Sequence, residues 1–145
     1  MRGILTGVLF LFLCCLNGEG LPAMAEPSHP LAAIFRKSCP DKKILLVKAG
    51  DCNGDGIEDL VVVYSENPEE NHMVAVYSQD GGYRVSPWVK APLENCALQW
   101  KDIDEGPPVE LLVSGQKGIY FGFAVFRFVR GEWVNLFGNN MDGCC

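Results

Sequence analysis

The sequence predicts an all-β protein built from two four-stranded antiparallel repeats, and three observations carry that prediction. Short runs of branched and aromatic residues recur along the chain, each bounded by Gly, Pro, Asn or Asp. Residues 98–113 match residues 47–62 at an offset of 51, and the strand-like runs that follow match at an offset of 50. Each repeat also ends in two such runs joined by a short Gly-containing link, which is a hairpin signal. These links are Gln79-Asp80-Gly81-Gly82 and Val129-Arg130-Gly131-Glu132.

The first elements come before the repeats. Met1-Arg2-Gly3, an apolar run from Ile4 to Leu16 and the small-residue site Ala23-Met24-Ala25 predict a secretory signal peptide over 1–25. Acylation of Cys14 or Cys15 is the weaker reading, because bulky residues precede both. No second hydrophobic span follows, so no membrane span is expected, and the mature chain is expected to be secreted or periplasmic. The lead-in, 26–43, contains Leu31–Lys37, which has the makings of one or two helical turns before Ser38-Cys39-Pro40.

Repeat 1 is expected over 44–95. Ile44–Ala49 reads as a strand ending at Gly50, and Leu60–Ser65 as the next. Glu66–His72 reads as a polar, solvated loop, with His72 facing solvent. Met73–Ser78 and Tyr83–Trp88 complete the unit, with Pro87 suited to a sheet edge. Repeat 2, over 96–145, returns the pattern with Leu98–Lys101, Leu111–Val113, Phe123–Phe128 and Trp133–Phe137. A period near fifty with four strands per unit marks blade-like repeats of the propeller type. Val61-Val62-Val63, apolar at successive positions, needs cover on both faces. Two units do not close a ring, so sandwich-like packing or a homo-oligomer is expected.

Between the first two strands lies Asp51-Cys52-Asn53-Gly54-Asp55-Gly56-Ile57-Glu58-Asp59. Oxygen-bearing side chains at loop positions one, three, five and nine can converge on one point. Three carboxylates and an amide then need a hard cation, and Ca²⁺ accepts six to eight oxygens in loose geometry. Asp51, Asn53, Asp55 and Asp59 are the expected side-chain ligands, with the Ile57 carbonyl as a backbone ligand. Gly56 is expected at positive φ. An EF-hand closes with a carboxylate at position twelve, but Val62 stands there, so closure falls to Asp59. Turn chemistry explains Asn53-Gly54 and Asp55-Gly56 and leaves Asp51 and Asp59 unexplained.

The pattern D-x-N-x-D-G-x-x-D-L-V-V at 51–62 resembles the FG-GAP repeat, the blade type of integrin alpha-subunit propellers, and its VCBS-like bacterial relatives. The resemblance is close over 47–64 and looser over 98–115. It implies a calcium loop at the corner of a β-blade and a recognition role. In the second loop Asp102, Asp104 and Glu110 keep the acidic positions, but Gly106 and Pro107 replace Asp55 and Gly56. An ion-free loop held by proline stiffness is therefore expected there.

Twelve Lys and Arg against eighteen Asp and Glu give a net charge of −6, which argues against nucleic acid and anionic membranes as partners. Of seven cysteines, Cys39, Cys52, Cys96, Cys144 and Cys145 outlast the signal peptide. Export favours disulfides. Cys39 with Cys96 is the first expected pair, and Cys52 with Cys144 or Cys145 the next.

No G-x-S-x-G, H-E-x-x-H, phosphate loop or Cys–His pair suggests catalysis. The leading expectation is therefore a non-enzymatic, Ca²⁺-stabilised recognition domain for a protein or glycan, at the envelope or outside the cell. The alternative is an inhibitor of a hydrolase such as a lysozyme; a metal-dependent hydrolase ranks below both. Trp88, Trp100, Trp133, Tyr83, Tyr120 and Phe121 are expected mostly in the core, and would form a recognition patch if exposed together.

Overall fold

The computed structural model describes residues 28–145, so the expected signal peptide lies outside the described residues. Helix α1, Ala32–Ser38, carries Arg36 and Lys37 in its last turn, where cations suit the helix dipole. It stops at Cys39 because Pro40 disfavours helical geometry in the residue before it.

The first antiparallel sheet contains β1 (Lys43–Gly50), β2 (Asp59–Asn67), β3 (Glu70–Gln79), β4 (Gly82–Val85) and β5 (Val89–Ala91). Its order is β1-β2-β3-β4, and β5 also pairs with β3. The second sheet runs β6 (Glu94–Lys101), β7 (Glu110–Lys117), β8 (Tyr120–Val129) and β9 (Glu132–Asn139) in sequence order. A short turn, α2 (Met141–Cys144), follows β9.

Two expectations are corrected. The stretch 66–72 is almost wholly strand, with only Pro68 and Glu69 at the turn. His72 pairs with Tyr64 in the ladder and is buried, not solvent-facing. Its ring stacks on Trp88 at 3.9 Å with 1° between the planes. Its Nε2 lies 2.7 Å from Glu70 Oε1. The fourth strand of the first repeat is also not continuous. It breaks at Ser86–Trp88, where Pro87 has no N–H to pair, and β5 resumes the pairing. Ser86 bridges the gap by donating its N–H to Ala75 O and accepting Ala75 N–H on Oγ, both at 2.9 Å.

The strand registers define how the sheets stack. Leu60 pairs with Val76 and Leu111 with Phe126, so the repeat offsets of 51 and 50 hold in space. On the front face of the first sheet, Leu60, Val62, Val74 and Val76 pack under Ala32 and Phe35 of α1. On its back face Val61, Val63, Met73 and Ala75 share a core with Leu111, Val113, Ala124, Phe126 and Phe128. These second-sheet residues are the counterparts of the first sheet's front. The two sheets therefore stack in the same sense, front onto back, as an open two-layer structure.

Among the described residues α1 and its flanking Leu31 and Cys39 cover the first sheet's front face, and Phe35 is the fully buried anchor. Phe35→Ala is expected to cost about 3–5 kcal/mol. Chemical denaturation should show a lowered midpoint with an unchanged m-value.

Candidate functional site

Both repeat loops project from the same end of the stack, between β1 and β2 and between β6 and β7. In the first, side chains cap the loop's own amides. Asp51 Oδ1 accepts Gly54 N–H at 2.7 Å, and Oδ2 accepts Gly56 N–H at 2.7 Å. Asn53 Oδ1 accepts Asp55 N–H at 3.1 Å, and Asp55 Oδ1 accepts Ile57 N–H at 2.8 Å. Such bonds need a tight coil, and Gly54 and Gly56 supply it at φ +78° and +81°. Ser78 Oγ donates to Asp55 Oδ2, and this bond is the main reason the Asp55 carboxyl lies below its usual range.

Asp59 is placed differently from its loop partners. It is fully buried at the start of β2. Its Oδ2 accepts Cys52 N–H at 3.0 Å and Cys52 Sγ at 3.1 Å, while Oδ1 accepts Ser78 N–H at 2.8 Å. Asp59 thus fastens loop position two and β3 to the mouth of β2. Burial, followed by the hydrogen bond to Asp59, pushes the Cys52 thiol far up, so Cys52 stays a neutral donor.

Glu110 repeats this clasp in the second loop, where Oε2 accepts Ile103 N–H at 2.9 Å. Ile103 is the counterpart of Cys52. What differs is the charge nearby. Arg127, on β8, donates to both Glu110 and Asp104. Asp102, Asp104 and Glu110 are, among the described residues, the one carboxylate trio with oxygens within 4.8 Å of one another. A guanidinium therefore already supplies positive charge to that cluster. Arg127's repeat counterpart, Tyr77, offers the first loop no such cation. The Arg127 hydrogen bond holds Asp104 below its usual range. For Glu110 burial works upward, but the Ile103 N–H and Arg127 outweigh it and the group is lowered.

The oxygens of Asp51, Asn53, Asp55 and the Ile57 carbonyl suit Ca²⁺ in kind. The structure does not, however, gather Asp51, Asp55 and Asp59 within 4.8 Å of one another as the spacing led one to expect, because each carboxylate turns to nearby N–H donors. Asp51 and Asn53 are half-buried, and Asp55 and Ile57 are exposed, whereas the Asp59 oxygens face Cys52 and Ser78. Gly50, Asp51, Gly54 and Gly56 line a cleft with Trp100, Pro107, Pro108 and Val109. Trp100 is fixed there by an Nε1–H bond to Ala49 O at 2.8 Å.

The remaining expected groups scatter. Cys39 packs against the cluster on the front of the first sheet and Cys96 against the cluster on its back, so the structure does not bring this pair together. Cys52 is engaged by Asp59. Cys144 and Cys145 meet, with sulfurs 3.5 Å apart. Trp133 belongs to the core and Trp100 packs at its margin. Trp88, Tyr83, Tyr120 and Phe121 are exposed, the last two adjacent at the start of β8. Sequence reasoning missed Arg127. Its signal was a lone cation in the otherwise apolar run Phe123–Val129. Compared with family models, curated proteins and solved structures, the chain matches none.

Asp55, Glu70, Asp104 and Glu110 all have folded pKa values below their ordinary ones. The unfolded chain therefore binds more protons in the acid range, so this stability is complete above the ordinary carboxylate pKa of about 4 and is lost as pH falls below it. Melting temperature should drop over that window. In Glu110→Gln the drop should be shallower, with a lower starting point at neutral pH.

Proposed function

We propose that the protein is an exported, non-enzymatic recognition module that docks a protein partner on the back face of its second sheet, with Ca²⁺ pinning the loop at 51–59. One observation supports this above the others. On the back of the first sheet Val61, Val63, Met73 and Ala75 are fully buried against the second sheet, yet among the described residues no such layer covers the repeat counterpart on the second sheet. Phe121 is 61% exposed there and Phe137 53%, beside Val134, Phe123 and Leu112. A contiguous apolar face of this kind marks an interaction site.

The first repeat also indicates what fits. Its back face takes the front of another sheet, rich in Leu, Val and Phe. The partner is therefore a protein offering such a sheet face. A second copy of this chain has no free front face to offer, since one is under α1 and the other is in the core. Only a back-to-back pair would remain open to it.

A narrower reading, inhibition of a hydrolase such as a lysozyme, draws on the β7–β8 turn. Ile119 is 92% exposed there beside Tyr120 and Phe121, whereas the matching β2–β3 turn is polar Asn67-Pro68-Glu69-Glu70. A stiff apolar hairpin tip suits insertion into an enzyme cleft, and a lysozyme turnover assay with added protein separates the two readings.

For the loop, Ca²⁺ at ten times Kd should stabilise by roughly 1.4 kcal/mol, a rise in melting temperature of roughly 5 °C. Asp55→Ala should abolish the rise, and a melting curve indifferent to Ca²⁺ and to chelator would remove the ion from the proposal. For the docking face, Phe121→Ser/Phe137→Ser should leave melting within about 2 °C, as surface changes do. The same variant should lose a crosslinked partner that wild type retains at one-to-one stoichiometry in envelope preparations. An unchanged crosslinking pattern, or a wild-type dimer in sedimentation that the variant lacks, would overturn the proposal.

A further inference from the structure

The carboxyl-terminal turn gathers sulfur. Cys144 Sγ lies 3.5 Å from Cys145 Sγ and 3.7 Å from Met141 Sδ. Cys96, on β6, has its thiol raised to about 11, by burial and then by Cys144, but it does not join Cys144 and Cys145 in a three-thiol cluster. The Cys145 thiol is pushed up to about 12 by burial, the Cys144 hydrogen bond and the neighbouring sulfurs. None of these residues belongs to the acidic loops or to the proposed docking face.

The fold builds this arrangement from several directions. Leu93 donates its N–H to Cys144 O at 3.0 Å, which holds the turn against the start of β6. Asn140 Nδ2 donates to Phe121 O at 2.8 Å. Gly122 leaves the space that the turn fills, because a Cβ there would come within 2.8 Å of Cys144 Sγ and 2.6 Å of Asn140 O. Cys144 is fully buried, while Cys96 and Cys145 are half-buried. Cys145 also lines a cleft with Val89, Lys90, Phe126, Asn135, Met141 and Asp142.

We propose that Cys144, Cys145 and Met141 form a binding site for one soft d¹⁰ cation, with Cu(I) as the type. The spacing fits a shared shell. Metal–sulfur bonds of about 2.3 Å at tetrahedral angles place sulfurs about 3.8 Å apart. A disulfide between Cys144 and Cys145 is the less suitable use, since adjacent Cα atoms stand about 3.8 Å apart and disulfides favour about 4.4–6.8 Å. The crowded sulfurs and partial burial oppose ionisation of Cys145. A cation at their centre replaces the protons and removes the repulsion. Thioether and thiolate together select a soft ion over a hard one.

The test is anaerobic titration of the reduced full chain with Cu(I) against a colorimetric Cu(I) chelator, with thiolate-to-copper absorption in the near ultraviolet as a second readout. One ion per chain is expected, with the absorption band rising to the same endpoint. Cys145→Ser, at a half-buried position, should keep the circular dichroism spectrum and weaken binding at least about tenfold, and Met141→Leu should weaken it by a smaller factor. Cys39→Ser should bind as wild type does. Absence of uptake, uptake unchanged in Cys145→Ser and Cys144→Ser, or uptake of Zn²⁺ with none of Cu(I), would each overturn the proposal.

Discussion

A strand with apolar side chains at successive positions leaves its sheet with two faces to hide, and the architecture follows from that demand. Leu60, Val61, Val62 and Val63 are all fully buried, although neighbours along a strand point to opposite sides. One side is met by the second sheet. The other is met by α1, a seven-residue helix whose Phe35 and Ala32 do the work of a third layer. Because each sheet offers its front to the back of the one before, the stack has a direction. Helix α1 ends it at one side, and the exposed back of the second sheet leaves it open at the other.

The corner of each sheet is held by a carboxylate in the same structural role. Asp59 and Glu110 both accept the N–H of loop position two, and so tie the loop's entry to the strand at its exit. Their surroundings then diverge. Asp59 is satisfied by neutral donors from Cys52 and Ser78, whereas Glu110 shares Arg127 with Asp104. The second loop has its cation covalently attached. The first offsets Asp51 and Asp55 with neutral donors, its own amides and the Ser78 hydroxyl, and this contrast is the electrostatic basis for reading one loop as open to Ca²⁺ and the other as self-sufficient.

Aromatic residues show how far context overrides type. Trp133 and Tyr83 occupy matching positions, yet Trp133 is buried against Phe128 and Tyr83 is more than a third exposed. The second sheet's front lies inside the stack, while among the described residues the first sheet's front is covered by a short helix. Trp88 is half exposed, yet it lids the His72 ring, which sits between Tyr64, Glu66 and Glu70.

The sequence by itself determined the all-β class, its division into two antiparallel sheets and the positive φ of Gly56. All of these rest on local patterns: branched runs, a fifty-residue period, and turn residues at fixed spacing. The tertiary structure decided what depends on groups distant along the chain. It turned Asp59 inward, since a buried carboxylate goes to the donors Cys52 and Ser78 place around it. It set Arg127 against Glu110 across a hairpin and put Cys39 and Cys96 on opposite faces of one sheet. It also broke the fourth strand at Pro87 and buried His72, because pairing to Tyr64 and cover by Trp88 outweighed the polar residues around it. Spacing along a chain specifies which residues can share a face; which of them meet is decided by how the sheets stack.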